Sequence, residues 1–302
     1  MKHAVSISIG SSKRNKAVEV NLLGEMVRIE RIGTDGDMEA AAQKYKELDG
    51  AVDAFGVGGA DLGAMVAGKW YPFHSIKPMV RFVQKTPLVD GTGLKNTLEN
   101  KSAAYLDSKI KAYIDKQGRK AFIPVGIDRW GMSVCFPQAG YECVYGDLLF
   151  GIDVPIMMYN TRHIEMAAAL LMPIVGRLPF EWIYPIGEKQ EKRSPKGEKY
   201  FRAATVIAGD CHYIKRHMPD ELPGKVIVTN TTTPEDVAFF KKAGIKYLLT
   251  TTPVLDGRSF GTNMMEAALV AVSGKGRPLT HDEYNDMLNQ LGFEPQLQEL
   301  NE

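Results

Sequence analysis

The chain has 302 residues, long enough to bury two hydrophobic cores, so two domains are expected. Its 37 lysines and arginines balance 36 aspartates and glutamates, which argues against a polyanion, a membrane surface or nucleic acid as the partner. The three cysteines have no metal-ligand spacing, which indicates reduced thiols and a cytoplasmic location.

Targeting and membrane signals are weak. The first nine residues read as a strand and lack the apolar region of a signal peptide. The longest apolar stretch, residues 164–178, contains Pro173 and Gly176 and is shorter than the roughly 20 residues that span a bilayer. We therefore expect a soluble protein in which this stretch forms a buried helix.

Strand and helix signals alternate along the chain. After the first strand come a hairpin at 17–32 around Gly24, a helix at 38–48, strands at 52–56 and 87–89, a helix near 76–83, a long helix at 94–114 and a strand at 122–127. The pattern then restarts with a strand at 155–159, a helix at 161–172, strands at 205–208, 226–229 and 247–249, and capped helices beginning near Pro234 and His281.

This alternation predicts an α/β fold with two Rossmann-like lobes, whose parallel sheets are covered by helices on both faces. The predicted lobes are residues 1–152, with glycine-rich strand ends, and residues 153–302, with threonine-rich strand ends. Ligands of such sheets bind outside the carboxyl ends of the strands, so the residues that follow each strand are the candidates for function.

A glycine loop with Gly56, Gly58 and Gly59 follows a predicted strand. Glycines let backbone N–H groups approach a phosphate, so these three are candidates for binding NAD or NADP. The match to the dinucleotide fingerprint is imperfect, because Asp61 stands where a third glycine is required and a carboxylate repels a pyrophosphate. A plain tight turn is the alternative.

A second glycine loop carries Asp90, Gly91, Gly93 and Lys95 between a strand and a helix. Gly91 and Gly93 are further candidates for contact with a cofactor. Asp90 and Lys95 are candidate catalytic residues, since an aspartate binds a diol and a lysine with a lowered pKa transfers protons. The alternative is that Asp90 caps a turn and Lys95 is solvated.

Two more strand ends carry ionisable side chains. Asp128 and Arg129 follow one strand, and Asp210, Cys211 and His212 follow another. Asp128, Asp210 and His212 are therefore candidate catalytic groups, although an adjacent Asp and Arg also form ordinary local ion pairs. No metal is expected, because the histidine spacing does not align two ligands on one helix face.

Threonine-rich segments end the later strands, and their hydroxyl groups suit a polar ligand. A following loop adds an arginine near a helix amino end, which suits a carboxylate or phosphate. The candidate substrate-binding residues are Asn230, Thr231, Thr251, Arg258, Ser259, Thr262 and Asn263. Helix caps are the alternative reading of the threonines.

Four segments carry a family resemblance: SISIGSSKR at 6–14, ERIGTDGD at 30–37, VDGTGLKNT at 89–97 and GRSFGTN at 257–263. Through them the chain resembles, nearly end to end, bacterial proteins labelled quinate 5-dehydrogenase. The resemblance implies hydride transfer between a nicotinamide cofactor and a hydroxylated acid, with a lysine and an aspartate in catalysis. The Asn/Thr/Pro turn at 228–236 carries acids where shikimate and quinate dehydrogenases have that lysine, so only Asp90 and Lys95 supply the residue types.

Three functions remain open. The first is an NAD(P)-dependent oxidoreductase acting on a small hydroxylated carboxylic acid. The second is a lyase, isomerase or transferase that acts on a phosphorylated or carboxylated metabolite without nicotinamide. The third is a two-lobed protein that closes around a metabolite without catalysis. All three expect a small anionic or hydroxylated ligand in a crevice shared by the strand ends, and all are compatible with a homo-oligomer.

Overall fold

A computed structural model describes residues 1–183, 193–252 and 261–302, together with the backbone of residues 254–255 and 258–259. Parallel strands alternate with helices and form two main sheets, each with a hydrophobic core on both faces. The predicted α/β class, with helices on both faces of parallel sheets, is confirmed.

The described strands are β1 Lys2–Ser8, β2 Lys16–Leu22, β3 Glu25–Gly33, β4 Ala54–Gly58, β5 Gly63–Val66, β6 Lys69–Pro72, β7 Leu88–Val89, β8 Lys120–Ile123, β9 Glu142–Tyr145, β10 Val206–Ala208, β11 Val226–Thr229, β12 Tyr247–Thr250, β13 Val254–Leu255, β14 Arg258–Ser259 and β15 Gln296–Glu299. The described α-helices are Met38–Leu48, Lys77–Val80, Thr92–Glu99, Ser102–Gln117, Trp130–Gln138, Asp147–Ile152, Thr161–Val175, Phe180–Ile183, Glu198–Ala203, Cys211–His217, Pro234–Lys242, Thr262–Ser273 and His281–Gln290. Short 3-10 turns occur at Ser12–Arg14 and His74–Ile76.

The first sheet has the order β2-β3-β1-β4-β7. β1 pairs in parallel with β3 and β4, and β2 joins β3 through the predicted hairpin, whose turn residues Leu23 and Gly24 both have positive φ. The chain leaves β1 toward one side of the sheet and leaves β4 toward the other. The loops after β1 and β4 therefore flank a topological switch point, where α/β sheets bind ligands.

The second sheet has the order β15-β12-β11-β10-β8-β9, and β15 is its antiparallel edge. From β8 the chain goes to β9 on one side and returns through β10 on the other. A second switch point thus lies between the loops that follow β8 and β10.

The two sheets do not divide the chain at residue 152. β8 and β9 pair within the second sheet, although both precede that position. The helix Thr262–Ser273 packs against β1 and β4 of the first sheet, and β15 then returns to the second. The sequence pattern gives the order of the elements but not the sheet that each one joins, so the predicted boundary missed these crossings.

The predicted helix at 94–114 is two helices in the structure, Thr92–Glu99 and Ser102–Gln117. Leu98 packs in the core of the first sheet, whereas Leu106 packs in the core of the second. The helix is interrupted at Asn100 because the two apolar segments pack in different hydrophobic cores.

Two other predictions for the middle of the chain were wrong. Residues 155–159 form no strand of a sheet, and only Met158 makes an isolated bridge, to Tyr145. The helix Thr161–Val175 is buried along one face, but Met166, Leu170 and Ile174 are 70%, 72% and 63% exposed. Among the described residues, no helix has both the length and the apolar character needed to cross a bilayer.

Candidate functional site

Seven ionisable side chains and one amide from both sheets meet where the carboxyl ends of the strands face each other. We call this group the strand-end cluster. Its members are Asp61, Asp90, Lys95, Glu99, Asp128, Arg129, Asp210 and Asn230. Asp61 follows β4 and Asp90 follows β7 of the first sheet, whereas Asp128 follows β8 and Asp210 follows β10 of the second.

Arg129 is the centre of the strand-end cluster and is 7% exposed. Its guanidinium group contacts carboxylate oxygens of Glu99 at 2.7 Å, Asp210 at 2.7 Å and Asp128 at 2.9 Å. Burial alone would lower the pKa of Arg129, but these three carboxylates raise it well above its usual value. Arg129 therefore remains a fixed cation that ties the end of the helix Thr92–Glu99 to the switch point of the second sheet.

Lys95 adds a second contact between the sheets. Its Nζ lies 3.1 Å from Oδ1 of Asp128, and its side chain is 12% exposed. Burial would lower the pKa of Lys95, but the carboxylates of Asp128 and Asp61 raise it beyond its usual range. The hypothesis of a lysine with a lowered pKa is therefore wrong, and Lys95 is a permanent ammonium group.

Asp128 is held as an anion by the same neighbours. Burial would raise the pKa of Asp128, but the charges of Arg129 and Lys95 and the hydrogen bond from Lys95 lower it well below its usual value. A carboxylate so firmly ionised is a poor proton carrier at neutral pH. Its effect is to fix the positions of the two cations.

Asp61 has the opposite behaviour. Burial raises the pKa of Asp61 to about 6, with Lys95 opposing the rise and Asp90 and Asp128 adding to it. A carboxyl group that titrates near neutrality can both accept and donate protons. In the sequence, Asp61 was notable only because it interrupts a glycine fingerprint.

Asp90 and Asp210 also have local structural roles. Asp90 accepts hydrogen bonds from the backbone N–H groups of Leu62 (2.6 Å) and Thr92 (2.9 Å). Asp210 caps its helix through Oδ1, while Oδ2 contacts Arg129 and accepts from the side-chain amide of Asn230 at 3.2 Å. The capping alternative is thus correct for Asp90, and Asp210 combines a helix cap, which was not predicted, with its contact to Arg129.

The amino end of the helix Thr92–Glu99 is filled by a carboxylate from the chain itself. Glu266 accepts hydrogen bonds from the N–H groups of Gly91 (2.5 Å) and Leu94 (3.3 Å) and from the hydroxyl of Tyr284 (2.6 Å). Burial raises the pKa of Glu266 to about 7. The backbone donors that the sequence offered to a ligand phosphate are therefore occupied.

The predicted cofactor glycines are required by packing. A Cβ at Gly56 would lie 2.8 Å from the carbonyl oxygen of Asn263, and one at Gly58 would lie 2.6 Å from Cβ of Ser8. Similar short approaches occur at Gly59, Gly91 and Gly93. Because their turns also carry the carboxylates of Asp61 and Asp90, these residues do not fit the pyrophosphate of a dinucleotide.

Cys211 and His212 do not form a nucleophilic pair. The thiol of Cys211 is buried, which raises its pKa, whereas His212 is exposed at the first turn of its helix. His212 therefore lies outside the strand-end cluster. Within the described part of the chain, no group of three or more His, Cys, Asp or Glu side chains could hold a metal ion.

The candidate substrate-binding residues are dispersed. Asn230 joins the strand-end cluster, and Thr231 lies half-buried one residue beyond it. Thr251 is buried, and the side-chain amide of Asn263 donates to Oγ of Ser6 and to the carbonyl of Val57 at 2.8 Å each. Thr262 is half-buried beside Asn263, while the side chains of Arg258 and Ser259 lie outside the described residues.

Two cavities lie at the amino ends of the strands of the second sheet, on the side opposite the strand-end cluster. One, of about 270 Å³, is lined by residues that include Gln117, Thr205 and Lys225, and the other, of about 90 Å³, adjoins Lys120 and Ala204. Both border the amino ends of the strands. Neither includes a member of the strand-end cluster.

Sequence reasoning missed three buried carboxyl groups. Glu99 pairs with Arg129, Glu266 holds the helix start, and Asp147 accepts from the N–H of Ile127 at 2.7 Å. Burial raises the pKa of Asp147 to about 6. Glu266 had a detectable signal, because it is a lone acid within an otherwise apolar helix, and such an acid must find partners when it is buried.

Residues 93–300 match the family model described as "Domain of unknown function (DUF8754)", a range that includes every strand of the second sheet and most of the strand-end cluster. The chain belongs to the DUF8754 family. In this DUF8754 protein, residues 3–90 also match the model described as "Domain of unknown function (DUF8753)". None of the curated proteins matches the sequence.

Solved structures similar to the DUF8754 protein include enzymes and binding proteins. A 5-methylthioribose transporter solute binding protein from Thermotoga lettingae shares 10% identity, with coverage of 98% of this chain and 85% of that one and a TM-score of 0.36. The NAD-dependent malic enzyme of Thermotoga maritima shares 12% identity, with coverage of 95% and 83% and a TM-score of 0.35. The malic enzyme of Entamoeba histolytica shares 13% identity over 72% of this chain, which spans only 44% of that enzyme, with a TM-score of 0.30. Similarity this low carries no argument about function.

Proposed function

We propose that this protein is an enzyme that moves a proton on a small hydroxylated, carboxylated or phosphorylated metabolite, in a lyase, isomerase or transferase step without nicotinamide. One observation carries the proposal. A carboxyl group with a pKa of about 6, Asp61, lies in the field of a fixed ammonium group, Lys95, where the ends of both sheets meet.

The two groups have complementary roles. The carboxylate of Asp61 accepts a proton from a C–H or O–H group of the substrate, and the electron pair of that bond passes to a substrate oxygen. The ammonium group of Lys95 stabilises the resulting oxyanion, because its positive charge is already fixed and needs no reorganisation. Asp61 then gives the proton to a different atom of this intermediate, and the electron pair of the oxyanion returns to form the new bond to that proton, which yields the isomerised product.

Arg129 and Asp128 position these groups without touching the proton. Asp128 holds Lys95 at 3.1 Å, and Arg129 holds Asp128 at 2.9 Å. Because Arg129 also contacts Asp210, this chain of ion pairs fixes the two sheet edges relative to each other. Such positioning is what a proton transfer needs from its surroundings.

The decisive experiment follows proton exchange. We would incubate the protein with panels of hydroxy acids, sugar acids and sugar phosphates in D₂O and detect C–H exchange and product formation by NMR. A compound that the wild type converts should be converted about 10² to 10⁴ times more slowly by Asp61→Asn and Lys95→Met. Lys111→Met, which removes an exposed lysine that pairs with its helix neighbour Asp115, is the matched control and should retain full activity.

The pH profile gives a second test of the same assignment. Because Asp61 acts as a base, kcat/KM should rise as the pH increases through about 6, where its carboxyl group loses its proton. Asp61→Asn should remove this inflection from any residual activity. An unchanged inflection in that variant would assign the titration to another group.

Hydride transfer is the second candidate, because the loop at Gly58 follows a strand at a switch point, the place where α/β sheets bind dinucleotides. The resemblance to quinate 5-dehydrogenases also supports it, whereas the filled glycine turns oppose it. Calorimetric binding of NAD or NADP, followed by absorbance changes at the nicotinamide with hydroxy acids, would replace our proposal with this one. Ligand-dependent closure with no reaction would instead favour a two-lobed binding protein.

A further inference from the structure

The loop after β1 brings two guanidinium groups together over one glycine. A Cβ built on Gly10 would lie 3.1 Å from Nη2 of Arg14, 3.2 Å from Nη2 of Arg31 and 3.3 Å from Oγ of Ser8. Arg31 is held there by hydrogen bonds to Oγ of Ser8 (3.0 Å) and to the carbonyl of Ser11 (2.9 Å). The missing side chain at Gly10 leaves a small space that both arginines face.

The charges in this space are unbalanced. Arg31 is half-buried, and after burial itself the nearby charge of Arg14 is the largest factor lowering the pKa of Arg31. The side chain of Arg14 is exposed, and no hydrogen-bond or ion-pair partner for it is seen in the described part of the chain. Two like charges that converge in this way are stabilised by an anion placed between them.

We propose that Arg14, Arg31 and the turn at Gly10 form a binding site for a phosphoryl group. Lys13 and the two arginines give three positive charges, and Asp35, which accepts a hydrogen bond from the N–H of Ser12 at 2.8 Å, gives one negative charge. The remaining charge of two matches the dianion of a phosphate monoester better than a single carboxylate. Guanidinium groups are also suited to paired hydrogen bonds with phosphate oxygens.

The site lies beside the strand-end cluster. A Cβ at Gly59 would lie 3.7 Å from the backbone N of Gly10 and 3.5 Å from Oγ of Ser8, and Asp61 follows two residues later. The loops after β1 and β4 flank the switch point of the first sheet. This assignment rests on the proposed function: the substrate is a phosphorylated metabolite. Arg14 and Arg31 hold its phosphate, while its reacting atoms face Asp61.

The test measures binding of inorganic phosphate by calorimetry at pH 7.5 and constant ionic strength. Arg14→Gln should weaken binding by about tenfold or more, because one charge-assisted contact is lost. Gly10→Ala should weaken it similarly, since the added methyl group occupies the space between the arginines while the flexible arginine ends move slightly. Lys44→Gln, at an exposed lysine that pairs with Glu47 on the helix Met38–Leu48, is the matched control and should change the affinity less than about twofold.

Three results would overturn the site. They are the absence of phosphate binding by the wild type, equal affinity in Arg14→Gln, and binding of acetate as tight as that of phosphate. The result for the proposed function is separate, because Lys95→Met should slow turnover by about 10² to 10⁴ times and leave phosphate affinity unchanged. Phosphate binding without any proton exchange would refute the enzyme and keep the site, and turnover without phosphate binding would do the reverse.

Discussion

A buried glutamate lies at each end of the helix Thr92–Glu99, and the two carboxyl groups have different kinds of partner. At the amino end, Glu266 accepts hydrogen bonds from two backbone N–H groups and from one tyrosine hydroxyl. At the carboxyl end, Glu99 is 1% exposed and contacts the guanidinium group of Arg129 at 2.7 Å. One glutamate is thus held by dipoles, and the other by a full positive charge.

The helix dipole accounts for the difference. The amino end of a helix favours negative charge, so neutral donors are enough to hold Glu266 there, although burial still raises the pKa of Glu266 to about 7. The carboxyl end disfavours negative charge, so a buried Glu99 needs a cation. Lys95 lies between these ends, and the helix that carries it is consequently fixed at both.

The largest expected effect comes from removing the cation. Arg129→Gln should lower the free energy of unfolding by about 3–5 kcal/mol, because it leaves Glu99 buried without its partner. Urea unfolding followed by tryptophan fluorescence would measure it. Glu99→Gln, added in the same chain, should recover part of the loss, since the unpaired charge is then gone.

A control separates burial from pairing. Arg277→Gln breaks an exposed ion pair with Glu283, and it should leave the urea midpoint nearly unchanged. If Arg129→Gln were as mild as this control, the carboxyl end of the helix would not depend on its cation. The contrast between the two ends would then be lost.

The next effect is a pH dependence at the other end. The folded protein keeps the proton of Glu266 up to about pH 7, whereas the unfolded chain releases it near 4.5, so the contribution of Glu266 to stability is complete below 4.5 and is lost as the pH rises to 7. This shift corresponds to about 3 kcal/mol. Glu266→Gln should therefore flatten the decline in melting temperature between pH 5 and 8.

The control for this slope is Glu25→Gln, at an exposed glutamate of β3, which should keep the wild-type decline. Asp61 and Asp147, whose pKa values burial also raises, add their own parts to the slope in every variant. A Glu266→Gln protein with an undiminished decline would show that Glu266 is already ionised at low pH. The amino end would then hold an ionised carboxylate despite its burial.

The sequence predicted the elements well and their assembly less well. Periodicity and caps located the hairpin at Gly24, the helix Met38–Leu48 and the capped helix start at Thr233, because each depends on neighbours along the chain. The strand-end rule also identified Lys95 and Asp128 before their contact was known. These features follow from local chemistry and from one general property of parallel sheets.

Long-range pairing was beyond such reasoning. Glu266 meets Gly91 across 175 positions of the chain, and Glu99 meets Arg129 across 30. No local pattern specifies these partners, nor the burial that raises the pKa of both glutamates. Lys95 was accordingly expected as a candidate for a lowered pKa, and the structure gives it a raised one.

The smallest of these effects concerns one hydrogen bond at the amino end. Tyr284→Phe removes the hydroxyl that donates to Oε1 of Glu266 at 2.6 Å, and at pH 5, where Glu266 is protonated, this should lower the free energy of unfolding by about 1 kcal/mol. At pH 8 the loss should be larger, because a bond to an ionised carboxylate is stronger. Tyr45→Phe is the matched control: Tyr45 is also fully buried, but its hydroxyl donates to the backbone carbonyl of Gly56, so its loss should be the same at both pH values. Equal losses of unfolding free energy at pH 5 and pH 8 for Tyr284→Phe would mean that Glu266 does not change its charge in this range. The distinction between a glutamate held by dipoles and one held by a cation would then have to be abandoned.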